Sequence, residues 1–313
     1  MSSNGSGNYT IHDHHTHYGW DNALGPVLEV EPGQTVTFET VDASGGQLSP
    51  TSTVADVATL DFGKVNPVTG PVRILGAEPG DALSVRVLEL KPSGWGWTAN
   101  IPGFGLLAED FRDPHLKLWN FTGDTATFAD GINLPLKAFP GTIGLAPAEP
   151  GHHSVVPPRA CGGNLDIRDL SAGTTLFLPV QVGGALFSVG DTHAAQGDGE
   201  VCGTALESPM NITLEFELLK GANLPAPQFR TAGPVTRHLD AKGYYVTTGV
   251  NADLMTASRD AVRAMIDHLG KEYGLTPEDA YLLCSVGCDL RISEIVDMPN
   301  WVVSFYLPLQ LFA

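Results

Sequence analysis

Basic residues are scarce in this sequence. Lys and Arg total 17 against 35 Asp and Glu, which gives a formal net charge of −18 at pH 7. Nucleic-acid phosphates and anionic membrane surfaces both attract basic proteins. We therefore expect neither to be a partner of this chain, and we attribute its acidity to solubility or to an acidic, salt-adapted cytosol.

Cysteine and long apolar segments are scarce as well. Cys161, Cys202, Cys284 and Cys288 are the only cysteines in 313 residues, too few for the disulfide framework of a small secreted domain. The first residues are polar and lack the apolar centre of a secretion signal, and no apolar run approaches the ~18 residues that cross a bilayer. These absences predict a cytoplasmic protein that does not enter membranes.

The signatures of two common enzyme classes are missing too. The sequence has no Gly-x-Ser-x-Gly turn around a serine nucleophile and no Gly-rich phosphate loop ending in Lys and Ser or Thr. Gly94 and Gly96 lack the third glycine of a dinucleotide-binding turn. Ser188 and Cys202 lie near an acidic stretch, but neither has a base at a diagnostic spacing. We expect no nucleotide cofactor, and a Ser or Cys nucleophile stays an alternative.

Glycine and proline, by contrast, are abundant, with 36 and 23 residues. Pro followed by Gly recurs at residues 32–33, 79–80 and 150–151, where Pro sets φ and Gly accepts the positive φ of a type II turn. Residues 212–218 alternate apolar and polar side chains, which is the period of a strand with one buried face. The pattern predicts a mainly-β fold, an antiparallel β-sandwich of the jelly-roll or CUB-like type.

The last quarter of the sequence changes character. Apolar residues recur at helical spacing between residues 251 and 273, and Thr276 followed by Pro277 and two acids is typical of a helix start. Residues 301–307 resemble a final strand. We therefore expect a flexible tail at residues 1–10, the sandwich with most of the site at residues 11–220, and a smaller α+β portion, residues 221–313, packed on it.

An acidic stretch at residues 190–200 is the strongest sign of a functional site. It contains Asp191, His193, Gln196, Asp198 and Glu200, and an apolar run at residues 176–189 leads into it. Carboxylates and imidazole bind divalent metals and transfer protons near neutral pH. The residues at 191 and 193 would share one face of an extended strand. A loop whose acids only cap its own turns is the alternative.

Three other segments could contribute to such a site. Residues 162–166 combine two glycines, which let the backbone approach a ligand closely, with an amide and a carboxylate. His17 follows a His-rich segment at the point where ordered sequence is expected to begin. The alternating Gly and Trp residues at 94–97 can wall a small apolar pocket, although core packing around a tight loop explains them equally well.

Short motifs in a fixed order run along the sequence. The longest reads Gly-Asp-Thr-His-Ala-Ala-Gln-Gly-Asp-Gly-Glu-Val-Cys-Gly-Thr at residues 190–204. The others lie at residues 17–22, 31–33, 42–46, 66–71, 76–81, 94–97, 101–105, 157–158, 162–166, 178–180, 184–188 and at Glu207. Together they resemble the acetamidase/formamidase family over nearly the whole chain, with Leu165 standing where methionine is frequent in that family.

The resemblance implies a function and an assembly. It implies an amidohydrolase that converts small aliphatic amides to a carboxylate and ammonia, with a divalent metal in the site. It also implies a β-sandwich with an α+β portion, and a homo-oligomer. Because some members of the family act on lactams or other amides, the resemblance does not identify the substrate.

Combined with the chemistry of amide hydrolysis, the resemblance implies a role for each candidate residue. Zn²⁺ is the expected ion, and Ca²⁺ is the alternative if the ligands are mostly oxygen. The expected metal ligands are Asp166, Asp191, His193 and His17. Glu200 is the expected general acid and base, with Asp198 as its competitor. The expected substrate contacts are Gly162, Gly163, Asn164, Trp20 and Trp97.

Two other functions stay open at this point. The same acids could hold a structural metal in a binding protein without turnover. Alternatively, an amidase or lactamase could use Cys202 or Ser188 as its nucleophile.

Overall fold

Strands dominate the computed structural model, which describes residues 8–313. It contains 40% strand and 14% helix, so the predicted mainly-β fold is confirmed. The strands are β1 (Asn8–Ile11), β2 (Thr16–His17), β3 (Gly19–Trp20), β4 (Leu28–Val30), β5 (Thr35–Thr40), β6 (Val68–Ile74), β7 (Ala82–Pro92), β8 (Trp95–Asn100), β9 (His115–Asn120), β10 (Thr125–Ala129), β11 (Ile132–Pro135), β12 (Phe139–Leu145), β13 (His153–Ser154), β14 (Gly162–Asn164), β15 (Thr175–Pro179), β16 (Phe187–Ala195), β17 (Leu206–Glu207), β18 (Met210–Leu219), β19 (Gln228–Arg230), β20 (Tyr244–Asn251), β21 (Asp289–Glu294) and β22 (Trp301–Pro308). The α-helices are α1 (Val54–Ala58), α2 (Leu254–Tyr273) and α3 (Pro277–Gly287), and 3-10 turns occur at Phe62–Lys64 and Leu309–Leu311.

Two large sheets face each other and form the sandwich. One has six strands in the order β1-β5-β18-β7-β15-β19, and the other contains β14-β12-β16-β17-β8-β9, with β6 joined to β16. Phe38 and Phe216 of the first sheet pack edge-to-face against Phe187 of the second, with ring centroids 4.9 to 5.6 Å apart. Burying these rings removes most of their apolar surface from water, which stabilises the contact between the sheets.

Strand β18 follows the sequence pattern that predicted it. Ile212, Leu214 and Phe216 are fully buried between the sheets, and Glu217 is exposed on the other face. Antiparallel pairing with β7 extends along the whole of β18, with a register shift between Thr213 and Leu214. The alternation therefore predicted both the strand and its buried face.

The C-terminal portion consists of the sheet β20-β22-β21 and two helices. Helix α3 begins as predicted, because the Thr276 side chain accepts a hydrogen bond from the backbone N–H of Asp279 and Pro277 occupies the first helical position. This portion contacts the acidic stretch directly. The N–H of Gly197 donates to the carbonyl of Ser285 at 2.8 Å, and the N–H of Leu290 donates to the carbonyl of Asp198 at 2.8 Å.

The structure adds detail to the predicted domain limits. Residues 1–7 of the expected tail lie outside the described residues, whereas Asn8–Ile11 form β1 in parallel register with β5. Ile11 is buried there, so residues 8–10 belong to the sandwich. Beyond residue 220, β19 still pairs with β15. None of the helices in residues 8–313 has the combined length and apolar character needed to span a membrane.

Candidate active site

Four carboxyl groups converge on one histidine in the second sheet. Asp191 and His193 lie on β16, Asp166 follows β14, Glu200 lies in the bend after β16, and Glu207 lies on β17. They form two groups that share His193, one with residues 166 and 191 and one with residues 200 and 207. Within each group, one potential ligand atom from every residue lies within 4.8 Å of the others.

Three of these acids have an unusual backbone conformation. The φ angles of Asp166, Asp191 and Glu200 are 49°, 50° and 42°, in the left-handed region that non-glycine residues seldom occupy. Each such residue costs about 1–3 kcal/mol and persists where surrounding contacts enforce it, often at functional sites. The side chains of Asp191 and His193 do lie close together, as the sequence predicted. They do so with Asp191 in a left-handed backbone conformation, and not through the regular alternation of an extended strand.

The imidazole of His193 is held in one orientation. Its Nδ1 lies 2.9 Å from Oε1 of Gln196, whose Nε2 donates to the backbone carbonyl of Asp166 at 2.9 Å. Because Oε1 can only accept, Nδ1 carries the proton in this contact. The other ring nitrogen, Nε2, lies 3.4 Å from Oδ1 of Asp191 and 3.2 Å from Oε2 of Glu207. The side chain is fully buried.

Two carboxylate oxygens at the site lack the hydrogen bonds that buried polar atoms normally have. Oδ1 of Asp166 and Oε2 of Glu207 accept none from any residue in 8–313, although buried acceptors are nearly always satisfied. The other oxygen of two of these acids is bonded: Oδ2 of Asp191 accepts from Asn66 at 3.0 Å, and Oε1 of Glu207 accepts from the N–H of Ala205 at 2.8 Å. Unsatisfied carboxylate oxygens beside an imidazole are a suitable donor set for a divalent cation.

The close packing of these groups shifts their protonation. Burial, reinforced by the neighbouring Asp191, raises the pKa of Asp166 to about 7. Burial and then the charge of Asp166 raise the pKa of Glu200 well above its usual value. Burial lowers the pKa of His193, but the carboxylates of Glu207 and Asp191 outweigh it and raise that pKa well above its usual value. So many acids cannot all be ionised side by side without a compensating cation.

The cluster opens into a cavity of about 620 Å³. Asp166, Asp191, Glu200 and Glu207 all line it, together with many apolar side chains. A volume of this size is within the ~300–1,000 Å³ range of ligand pockets, which are mostly apolar with a few convergent polar groups. The arrangement therefore has the form of an active site, with polar chemistry in an apolar enclosure.

Two of the predicted substrate contacts lie at this cavity. Trp97 lines it, and its Nε1 donates to Oδ1 of Asp42 at 2.8 Å. Asn164 also lines it, and its Oδ1 accepts from the hydroxyl of Thr142 at 2.7 Å. In the described part of the chain, no acceptor receives a hydrogen bond from the Nδ2 of Asn164, so this amide can donate to a ligand.

The structure places other predicted residues next to the site rather than in it. Both ring nitrogens of His17 have partners, with Nδ1 2.7 Å from the carbonyl of Gly19 and Nε2 2.8 Å from the hydroxyl of Ser188. Burial lowers the pKa of His17. This histidine is in neither group of possible metal ligands found among residues 8–313. Trp20 is buried and meets the imidazole of His17 edge-on, with centroids 6.3 Å apart.

The paired glycines pack β14 against its neighbours. Gly162 and Gly163 have φ angles of 98° and 111°. A Cβ at the first would lie 2.6 Å from the carbonyl oxygen of Ile143 on β12, and a Cβ at the second would lie 3.5 Å from Nε1 of Trp20. The close approach that Gly162 allows is therefore between strands, whereas a Cβ at Gly163 would be only in ordinary van der Waals contact. Among the described residues, neither glycine lines the cavity.

Asp198, the expected competitor of Glu200, takes part in a different network. Its Oδ1 lies 3.3 Å from Nε of Arg168, which forms a buried two-point ion pair with Asp289. Burial raises the pKa of Asp198, while Arg168 opposes the shift. This network connects the bend between Gly197 and Gly199 to the C-terminal portion.

Three residues of the site have no role that the sequence alone predicts. Glu207 was recognised only as part of a motif, although an acid within the apolar segment around Leu206 is itself a signal of an internal function. Asn66 and Thr142 contact Asp191, at 3.0 and 3.1 Å. Asn66 was recognised only as the first residue of the motif at 66–71, and nothing local in the sequence marks Thr142, whose place at the site depends on the pairing of β12 with β16.

The candidate nucleophiles have unsuitable surroundings. Cys202 is fully buried, and burial raises the pKa of its thiol to about 11. Its Sγ contacts the carbonyl of Ala99 and both oxygens of Thr204 at 3.4 to 3.6 Å, and no histidine of residues 8–313 is within contact of it. Ser188 is also fully buried, and its one imidazole partner is outside the acidic cluster.

Comparison with known proteins gives consistent matches along the chain. The sequence model of the Acetamidase/Formamidase family matches residues 6–154 and 148–313. A formamidase of Methylophilus methylotrophus is 27% identical over 96% of this chain and 90% of its own length. A gamma lactamase from Delftia acidovorans is 28% identical, with a TM-score of 0.90 over 97% of this chain and 93% of that one. An acetamidase from Bacillus halodurans is 33% identical, with a TM-score of 0.69 over 96% and 97%.

Proposed function

The chain belongs to the acetamidase/formamidase family and is an amidohydrolase of linear amides, and we propose that it hydrolyses them at the acidic cluster with the help of a divalent metal. The observation that supports the metal is the pair of unsatisfied oxygens among residues 8–313, Oδ1 of Asp166 and Oε2 of Glu207, which belong to two groups of possible ligands that share His193. A cation in either group would satisfy the unsatisfied oxygen of that group and compensate the crowded carboxylates.

Asp166, Asp191 and His193 are the proposed ligands, and Glu207 is a further candidate. Mixed nitrogen and oxygen donors suit Zn²⁺, whereas Ca²⁺ prefers oxygen alone. His17 is left out of this set because both of its ring nitrogens already have partners. When bound, the cation would polarise the amide carbonyl and acidify a water molecule.

The remaining chemistry is assigned to side chains at the cavity. Glu200 lines the cavity beside the proposed ligands, where a carboxyl can take a proton from the attacking water and give it to the leaving nitrogen. Nδ2 of Asn164, which donates to no acceptor within residues 8–313, would orient the substrate carbonyl, and Trp97 forms part of the wall. The apolar enclosure strengthens these polar contacts by excluding water.

Ammonia release is the direct test. The purified protein is incubated with formamide, acetamide and propionamide, before and after chelation and after return of Zn²⁺ or Ca²⁺. We expect ammonia from the primary amides, loss of activity on chelation, and recovery with one of the two metals. No ammonia from any amide would refute hydrolysis, and full activity after complete metal removal would refute the metal role. The name of the Delftia relative makes a γ-lactam a second substrate class for the same assay.

We also propose a cytoplasmic homo-oligomer. The acidic composition and the scarcity of cysteine support this location, and the family resemblance supports the assembly. Light scattering coupled to size-exclusion chromatography measures the assembly, and a mass equal to one chain of 33.1 kDa at all concentrations would contradict it.

A further inference from the structure

The cavity at the acidic cluster is much larger than formamide or acetamide requires. Water occupies about 30 Å³ per molecule in the liquid, so a cavity of about 620 Å³ has room for roughly twenty molecules of that size. Acetamide has four non-hydrogen atoms. A small amide would therefore leave most of the cavity to solvent, although a dry enclosure strengthens the polar contacts of catalysis.

Burial separates the cavity into a polar floor and an apolar mouth. Asp191 and Glu207 are 3% and 2% exposed, so the acids lie at the deep end. Phe62, Phe104 and Met255, which line the same cavity, are 56%, 41% and 51% exposed and lie toward solvent. These three side chains come from a 3-10 turn, a loop and the start of α2, so separate parts of the chain supply one apolar rim.

The charges on the walls restrict what can enter. Within residues 8–313, neither Lys nor Arg lines the cavity, while Asp166, Asp191, Glu200 and Glu207 do. An acyl group that carried its own carboxylate would find neither Lys nor Arg on these walls to compensate its charge. An uncharged, apolar group would instead gain by leaving water for the apolar wall.

We propose that the preferred substrate is a primary amide with an apolar acyl group several carbons long. Its carboxamide would lie against the acidic floor, and its acyl chain would extend along the apolar wall toward Phe62, Phe104 and Met255. Water adds to the carbonyl carbon and the C–N bond breaks, which yields the fatty or aryl-alkyl carboxylate and ammonium. This inference depends on the proposed amide hydrolysis and specifies its substrate class.

A chain-length series tests the inference. We expect kcat/KM to rise about four-fold for each added methylene from acetamide through butyramide to hexanamide, because burying one methylene changes a binding equilibrium by about that factor. The rise should level off when the cavity is filled. A kcat/KM that is flat or falls along the series, with acetamide still hydrolysed, would overturn the inference but not the amidase activity. Absence of ammonia from every amide would instead refute the proposed function itself.

Variants at the rim make the test residue-specific. Phe62→Ser and Met255→Ser are each expected to lower the ratio of kcat/KM for hexanamide over acetamide by four-fold or more. The matched controls are Phe229→Ser and Met298→Ser, whose side chains are 41% and 80% exposed and lie outside the cavity. Because all four side chains are exposed, folding should survive, which circular dichroism checks. A ratio that changes as much in the controls as in the rim variants would contradict the assignment.

Discussion

Nε2 of His193 lies 3.2 Å from Oε2 of Glu207, across the pairing of β16 with β17. The two residues are directly opposite each other in antiparallel register, so their side chains emerge on the same face of the sheet. The contact joins the acidic stretch to an acid seven residues beyond Glu200. Apart from this contact, Oε2 of Glu207 has no hydrogen-bond partner among residues 8–313.

Replacement of Glu207 by Gln should weaken metal binding. The amide keeps the volume and can still accept from the N–H of Ala205, but it removes a negative charge beside His193. We expect the affinity for Zn²⁺ to fall about 10- to 100-fold, as it does when groups that support metal ligands are changed. Titration calorimetry on the metal-free protein measures this. Glu217→Gln, an exposed change on β18, is the control, and an equal affinity in both variants would contradict a role for Glu207.

Glu200→Gln and Asp198→Asn should separate two acids that the sequence could not distinguish. Glu200 lines the cavity, whereas Asp198 contacts Arg168. Loss of a general acid and base typically lowers the rate 10²- to 10⁴-fold. We therefore expect kcat to fall by such a factor in Glu200→Gln, with Zn²⁺ still bound. The asparagine variant should retain turnover within about ten-fold. The assignment would be reversed if Asp198→Asn lost more activity than Glu200→Gln, measured by ammonia release.

Features with a local cause were predictable from sequence. The cap at Thr276 and the alternation in β18 depend on neighbouring residues in the chain, and the structure has both. The dense set of chemical groups at residues 190–200 likewise identified Asp191, His193 and Glu200, which converge.

Features that depend on strand pairing were not predictable. Glu207 reaches the cluster because β17 pairs with β16, and Thr142 reaches it because β12 does. His17, predicted as a metal ligand, has Gly19 and Ser188 as hydrogen-bond partners, and Trp20, predicted to contact the substrate, packs against this histidine. The register of strand pairing decides which side chains face a site, and separation along the sequence does not show that register.

The buried ion pair between Arg168 and Asp289 should be needed for stability. Arg168 is 3% exposed and Asp289 is fully buried, so Asp289→Asn would remove the two-point partner of a buried guanidinium and leave it with the partly exposed Asp198 as its ion-pair partner among the described residues. Removing one member of such a pair costs about 3–5 kcal/mol. We expect a free energy of unfolding in urea lower by this amount. The double variant Arg168→Met with Asp289→Leu should lose less free energy of unfolding than Asp289→Asn alone. A larger loss in the double variant would show that the lost partner charge does not cause the destabilisation.

His238 should make the fold sensitive to mild acid. Burial, together with the nearby charges of Lys137 and Arg168, lowers the pKa of His238 from 6.5 to about 4. Between these two values the unfolded chain binds a proton that the folded chain does not, so the histidine's contribution to the free energy of unfolding falls as the pH drops from 6.5 toward 4. His238→Gln removes this proton uptake. The free energy of unfolding of the wild type minus that of the variant, both measured in urea, should therefore be lower at pH 5 than at pH 7. A difference that stays constant between pH 7 and pH 5 would disprove the assignment.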